Sequence, residues 1–363
     1  MFIKKLMAKK IIFIAPYPYG QAPSQRFRFE QYIKSLDKNG FSSEFHPFLD
    51  DKGWKTLYED GSFTKKSFAM LRSFWRRFFL LFKLKKFDNI FIHREASMIG
   101  PPFIEWIIAK VLRRKYIYDF DDAIWLPNYS EANASFHKLK AYGKVKKIIK
   151  WADQVVVGNN HLKEFALKYN NSVKIIPTTV DLENVHTINT IHNKSEIIIG
   201  WTGTHTTAKY LNFIIPVLEN LEKKFEFKFR VISNHSPDIE LNSLEYIKWN
   251  KETEIKDLSE INIGIMPMED NKWTRGKCGF KGLQYMSLQI PSIMSPVGIN
   301  NEIIQNGING FLCSTTIEWE EVLTRLIENI SLRGKIGIAG QETVKEKYSV
   351  NSNKESYLNL FKK

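Results

Sequence analysis

Ile197-Ile198-Ile199-Gly200-Trp201-Thr202-Gly203-Thr204-His205-Thr206-Thr207-Ala208-Lys209 is the stretch on which the fold turns. A continuous apolar run ends in glycines and passes through a hydroxyl-rich turn into a helical segment. A strand apolar on both faces must be covered on both faces, which points to a parallel sheet flanked by helices. The same alternation extends in both directions. Upstream, residues 11–15, 41–46, 89–92, 116–119, 154–157 and 173–176 read as strands, with helices over 26–38, 102–112, 135–151 and 160–169. Downstream, a helix over 206–221 leads to strands at 227–232, 261–266 and 292–295, with helices at 280–288, 317–330 and 333–346. The expected fold class is α/β, with two Rossmann-like doubly wound domains facing across a cleft.

Length agrees with two domains, because single cores stop growing near about 250–300 residues and this chain has 363. A hydrophobic share of 43% excludes wholesale disorder. The expected division is a first domain at 1–182, a polar connector at 183–195 and a second domain at 196–346. A formal charge of +14 favours anionic partners: nucleic acid, nucleotide or phosphate ligands, or an anionic membrane. Cys278 and Cys313 cannot make a disulfide framework, which suggests a reducing compartment. The basic N-terminus precedes an apolar run that stops at Pro16, too short for a secretory signal. No stretch approaches about 18 uncharged apolar residues, so no membrane span is expected.

Chemistry concentrates in two places. The segment 273–302 contains Arg275-Gly276-Lys277-Cys278-Gly279-Phe280-Lys281, a glycine-containing turn that runs into a helix among cations. Helix N-termini carry partial positive charge and unbonded N–H groups, so this is a candidate anion site, with Lys277 and Lys281 adding point charges; a basic loop before an ordinary helix is the alternative. At the start of the second domain, Gly203, Thr204 and Lys209 could reach the same anion, or simply cap a helix. In the first domain the long loop 16–24, with Gly20, lies above the first strand. Asp119-Phe120-Asp121-Asp122 ends another. Three carboxylates in four residues repel one another and need partners. A metal-binding pair, a base at the cleft, or capping with salt bridges to Arg113, Arg114 and Lys115 would each provide a reason. His93 ends a strand and is a further candidate. The remaining histidines lack metal-ligand spacing, and neither a phosphate-loop nor a dinucleotide fingerprint is present.

Residues 62–87 hold eight Lys or Arg, no Asp or Glu, and eight aromatic residues. A basic aromatic helix suits an anionic bilayer surface; its alternative is a helix with its Phe side on the sheet and its cations in water.

Arg275-Gly-Lys-Cys-Gly-Phe-Lys-Gly-Leu-Gln-Tyr-Met286, Ser295-Pro-Val-Gly, Asn301-Glu-Ile-Ile and Asn306-Gly-Ile-Asn-Gly-Phe-Leu together resemble retaining glycosyltransferases of family 4, a GT-B family. Asp119-Phe-Asp-Asp-Ala-Ile-Trp, Ala152-Asp-Gln-Val-Val-Val-Gly-Asn, Ile176-Pro-Thr-Thr-Val-Asp and Ile263-Gly-Ile-Met-Pro extend the likeness over essentially the whole chain. The resemblance implies a UDP- or GDP-sugar donor, held mainly by the second domain, and no required metal or other cofactor. It implies an acceptor held mainly by the first domain, and a final segment, 347–363, that crosses back to that domain. Taken together with the chemistry of the residues, it gives as catalytic candidates Lys277, Lys281, Asp121 and Asp122, and as donor-binding candidates Gly203, Thr204, Lys209, Gly20, Gln284 and Glu302. Three departures stand out. Gly276 and Gln284 occupy the places of the family's paired glutamates, Thr204 and Lys209 stand where its diphosphate-binding Arg and Lys are usual, and Asp121 stands where a histidine is common.

The expected activity is transfer of a sugar to a lipid-linked or surface-polysaccharide acceptor by a cytoplasmic enzyme at the inner membrane face, contacting the membrane through 62–87. A non-catalytic nucleotide- or nucleic-acid-binding protein, or a sugar-nucleotide epimerase of the same build, is the alternative. No nucleic-acid motif favours the former.

Overall fold

The computed structural model describes residues 8–58, 63–127, 140–192 and 196–362. The chain divides into two units, one formed by Met1–Pro177 with Lys354–Lys363, the other by Thr178–Asn353.

The first unit is built on a six-stranded parallel sheet. Its strands are β1 (Lys9–Ala15), β2 (Phe41–Pro47), β3 (Asn89–His93), β4 (Ile117–Phe120), β5 (Gln154–Val157) and β6 (Val173–Ile175), in spatial order β2-β1-β3-β4-β5-β6. All six predicted strands of this half are present. Ile11 to Ala15 are fully buried, as expected for a strand covered on both faces. From β1 the chain goes to β2 on one side and later returns to β3 on the other. The switch point therefore lies between β1 and β3, and the loops after them sit where such folds open a crevice.

The tail completes this unit. Tyr357 stacks on Tyr32 at 4.1 Å, Phe361 packs against Phe13 and Phe91, and the Lys174 ammonium donates to the Ser356 carbonyl at 3.0 Å. The predicted helix 135–151 is seen as Lys144–Trp151; residues 135–139 lie outside the described residues. The helix predicted over 26–38 is several short pieces: Pro23–Arg26, Glu30–Tyr32 and Ile33–Lys38.

The second unit repeats the plan with β7 (Ile198–Gly203), β8 (Lys228–Ser233), β9 (Leu244–Lys248), β10 (Ile263–Met266), β11 (Ser292–Met294) and β12 (Phe311–Leu312), ordered β12-β11-β10-β7-β8-β9. Here the switch point lies between β7 and β10. The helix expected over 206–221 is broken into His205–Ala208, Lys209–Phe213 and Ile215–Glu222, because Pro216 has no N–H to donate and restarts the helix at its first turn. Strands β9 and β12 were not anticipated. Over its described part, the stretch expected to be a connector is bound into this unit. The Thr190 hydroxyl donates to the Ile261 carbonyl at 2.8 Å, and Arg333 donates to the His192 carbonyl at 3.1 Å.

Candidate active site

In the second unit the site forms where β7 and β10 end. Gly279 sits in left-handed backbone (φ 67°), which lets the loop after β10 turn directly into the helix Phe280–Ser287. Glycine offers no capping side chain, so the positive end of the helix dipole faces the loop, a setting that favours negative charge. Lys281, on the first turn, is half-buried, and its ammonium lies 5.4 Å from the ring centroid of Trp201 on β7. Trp201 is itself buried. Stacking on a buried indole holds the charge at the strand end instead of leaving it to wander in water.

The glycine at 203 is required by the same approach. A Cβ there would lie 2.5 Å from the Trp201 ring and 2.9 Å from Lys281 Cε. The structure thus brings together Gly203 and Lys281, which are far apart in sequence. Gly203→Ala is expected to displace both the lysine and the buried Trp201 ring, lowering turnover severalfold and the melting temperature with it. Steady-state kinetics beside a melting curve checks this, and unchanged turnover would separate Gly203 from the site.

Tyr285 locks the frame. Its hydroxyl accepts the Thr202 amide at 2.9 Å and donates to the Ile265 carbonyl at 3.4 Å, joining the ends of β7 and β10. Burial pushes its pKa up, so it remains a neutral phenol able to do both. Tyr285, Trp201 and Trp273 were not singled out from sequence, where an aromatic inside a helix or strand looks like ordinary core.

The other candidates of this unit are placed less centrally. Lys277 is half-buried, 5.0 Å from the centroid of Trp273. Thr204 is exposed and its hydroxyl pairs with that of Thr206 at 2.8 Å. Lys209 is exposed and lies over the Tyr210 ring. Arg275 makes a two-pronged bond to Asp270, at 2.6 and 2.9 Å. Gln284 is buried on the second turn of the helix, and its Nε2 has no hydrogen-bond partner. Glu302 is exposed on the helix Asn300–Ile303. A hollow of about 490 Å3 lined by Glu196, Glu226, Lys228 and Asn242 lies at the opposite, amino-terminal end of the sheet, away from all of these.

In the first unit the carboxylates are already engaged, by partners other than Arg113, Arg114 and Lys115. His93 and Asp119 are register partners on β3 and β4, so their side chains share a face, and His93 Nδ1 lies 2.7 Å from Asp119 Oδ2. Arg28 bonds the other oxygen of Asp119 at 2.5 Å and also donates to the Ile176 carbonyl. All three side chains are buried. Burial alone would raise the Asp119 pKa, but the Arg28 charge and the His93 hydrogen bond outweigh it and hold the carboxyl below its ordinary value.

A depressed folded-state value contributes stability above the unfolded value, which is lost as pH falls through the folded one. The first unit should therefore hold its melting temperature down to the ordinary Asp value of 3.8 and lose it below that. Acid melting curves of the native chain and of Asp119→Asn test this. If the two curves remain parallel below that pH, the linkage is wrong.

Asp121 and Asp122 are both bound by Arg94, which donates from Nε to Asp121 at 2.8 Å and from a terminal nitrogen to Asp122 at 2.5 Å. Arg94 has a left-handed backbone (φ 57°), uncommon for a side chain of this size. Its amide donates to the Asp119 carbonyl, and its carbonyl accepts the Tyr118 hydroxyl, both at 2.7 Å. Asp119 and Asp121 are thus turned to separate partners, and a metal-binding pair is not what they form. The Gly20 amide donates to Glu30 at 2.8 Å. Nothing in the sequence marks Arg28 or Arg94 as the partners; the Arg28–Asp119 pair spans 91 residues.

Residues 196–329 match the family described as Glycosyl transferases group 1. The second unit carries a glycosyltransferase group 1 domain. On that ground the chain is a glycosyltransferase. No curated protein sequence matches it. Solved structures similar to the whole chain include a glycosyltransferase from Rickettsia africae ESF-5, with TM-score 0.67, 15% identity and 98% of each chain covered. Anabaena Alr3699/HepE in complex with UDP-glucose has TM-score 0.68 and 14% identity, covering 97% of this chain and 98% of its own. The catalytic domain of starch synthase IV from Arabidopsis thaliana, bound to ADP and acarbose, has TM-score 0.67 and 12% identity, covering 98% and 99%. At such identities the likeness establishes the fold, two Rossmann-like domains of GT-B type.

Proposed function

We propose that this glycosyltransferase takes a sugar from a nucleoside-diphosphate donor, with retention at the anomeric carbon, and passes it to a lipid-linked or surface-polysaccharide acceptor. The observation that carries the donor half is the meeting of Lys281, Trp201 and Gly203 at the N-terminus of the helix Phe280–Ser287. As the glycosidic bond breaks, negative charge grows on the departing diphosphate. A fixed ammonium and the positive end of a helix stabilise that charge more in the transition state than in the bound donor. Lys277 is assigned to the same anion. The unpartnered amide of buried Gln284 suits a ribose hydroxyl, which the donor would supply. Two solved structures of this fold hold UDP-glucose and ADP, which supports a nucleotide-sugar donor here.

Arg94 already binds both Asp121 and Asp122, so their role in this reading is to hold the loop ends of β3 and β4 on the acceptor side. The acceptor's membrane setting, on an inner cell face, agrees with the basic aromatic segment. Among the described residues no helix is long and apolar enough to cross a membrane. The test is to incubate the chain with UDP- and GDP-sugars and a lipid-linked acceptor, following nucleoside diphosphate release and the anomeric configuration of the product by NMR. Release with an α product from an α donor supports the reading. Inverted product overturns the retention, and sugar isomerised without acceptor favours an epimerase.

A further inference from the structure

The helix Phe63–Lys83 is apolar on two opposite faces. One face carries Leu80 and Leu81 into the first unit. It is fixed there by buried Arg77, whose guanidinium donates to the carbonyls of Ala15, His46 and Ala96 at 2.8–3.0 Å. These three carbonyls lie at or just past the ends of β1, β2 and β3, so the helix is pinned across the carboxyl edge of the sheet. The other face is Phe68, Leu71, Trp75, Phe78, Phe79 and Phe82, each between 41% and 70% exposed. At 3.6 residues per turn these six fall within an arc of about 100°. Lys65 and Lys83, both exposed, flank that arc on one side, and exposed Lys85 and Lys86 follow the helix end.

A second element extends the patch. Phe103 and Trp106 are 57% and 41% exposed and stack on each other at 5.9 Å. Phe103 and Ile104 form one wall of an apolar groove of about 360 Å3 whose other wall is Leu71, Phe74, Trp75 and Phe78. Just beyond, Lys110, Arg113 and Lys115 are exposed. The one carboxylate of this element, Glu105, is buried and accepts the Ala96 amide at 2.8 Å. Two separate stretches of chain thus present exposed rings with cations at the margin; the carboxylates beside them, Asp50 and Asp153, are paired with Arg72 and Arg76 and with Lys115.

We infer that residues 68–82 and 103–106 form one shallow membrane-inserting face, with an anionic phospholipid bilayer as its occupant. Charge complementarity decides for that occupant: cations outnumber carboxylates at the margin, which suits anionic headgroups, while the rings fit the headgroup–acyl boundary. The inference deepens the acceptor half of the proposed function and rests on it for its purpose, since an enzyme held at a bilayer meets a lipid-linked acceptor at high local concentration.

The test is sedimentation of the full chain with phosphatidylcholine vesicles, alone or containing about one third phosphatidylglycerol. The expected result is binding to the anionic vesicles only, weakened by salt. The double variant Phe79→Ser, Phe82→Ser should lose at least tenfold in binding while its melting temperature and its nucleotide binding without vesicles stay unchanged. Trp106→Ser should weaken binding too, which a single amphipathic helix would not require. Equal binding to both vesicles, no binding, or indifference to the ring variants overturns the inference. So does a change from dimer to monomer in the double variant by light scattering, which would make a second copy the occupant. Failure of nucleotide binding with intact vesicle binding would instead count against the proposed donor chemistry.

Discussion

Replacing Lys281 by alanine lowers turnover at saturating donor by at least tenfold, about 1.4 kcal/mol of transition-state stabilisation. The ammonium is half-buried over a buried indole beside the positive end of a helix, so little water competes for the charge it meets. The loss should appear in kcat more than in KM, because the diphosphate carries more charge as it leaves than while it is still bonded to the sugar. Lys277→Ala serves as the comparison: its ammonium lies over Trp273, not over the β7 end, and a smaller loss is expected. Near-normal turnover in Lys281→Ala would remove this lysine from the mechanism.

Arg28→Met is the change expected to cost the most stability, about 3 kcal/mol or more. It leaves the Asp119 carboxylate buried with only His93 as partner and releases the Ile176 carbonyl. Removing one member of a buried ion pair strands the other's charge, and that desolvation is the larger part of the effect. Urea unfolding followed by circular dichroism measures it. The double variant Arg28→Met, Asp119→Asn should recover part of the loss, because no charge is then left unpaired. A single variant within about 0.5 kcal/mol of the native chain, the range of an ordinary surface change, would show that the pair is not what holds this region together.

What could be read in advance follows the range of the interaction. The apolar runs Ile11–Ala15 and Ile197–Trp201 announce parallel strands because burial on both faces leaves no polar alternation. The edge strand Leu244–Lys248 is half-buried and mixed in polarity, so no period stands out, and Phe311–Leu312 is too short to show one. Pro216 was visible in the sequence, and it splits the helix that the apolar spacing suggested as continuous. At the candidate site, the glycine turn and its cations were legible as local chemistry. That Lys281 reaches Trp201 and Gly203 was not, since it depends on β7 and the helix Phe280–Ser287 meeting across about 80 residues. Three carboxylates within 119–122 repel one another, so the sequence alone shows that they need partners. Their actual partners come from distant segments, Arg28 and His93 for one and Arg94 for the other two.

Titration calorimetry of the full-length protein with UDP, GDP and ADP bears most directly on whether a diphosphate is what the lysine and the helix start were assembled to hold. At least one of the three should bind, and Lys281→Ala should weaken that binding at least tenfold with the fold intact. No heat with any of them, or an affinity untouched by Lys281→Ala and Gly203→Ala, would contradict it.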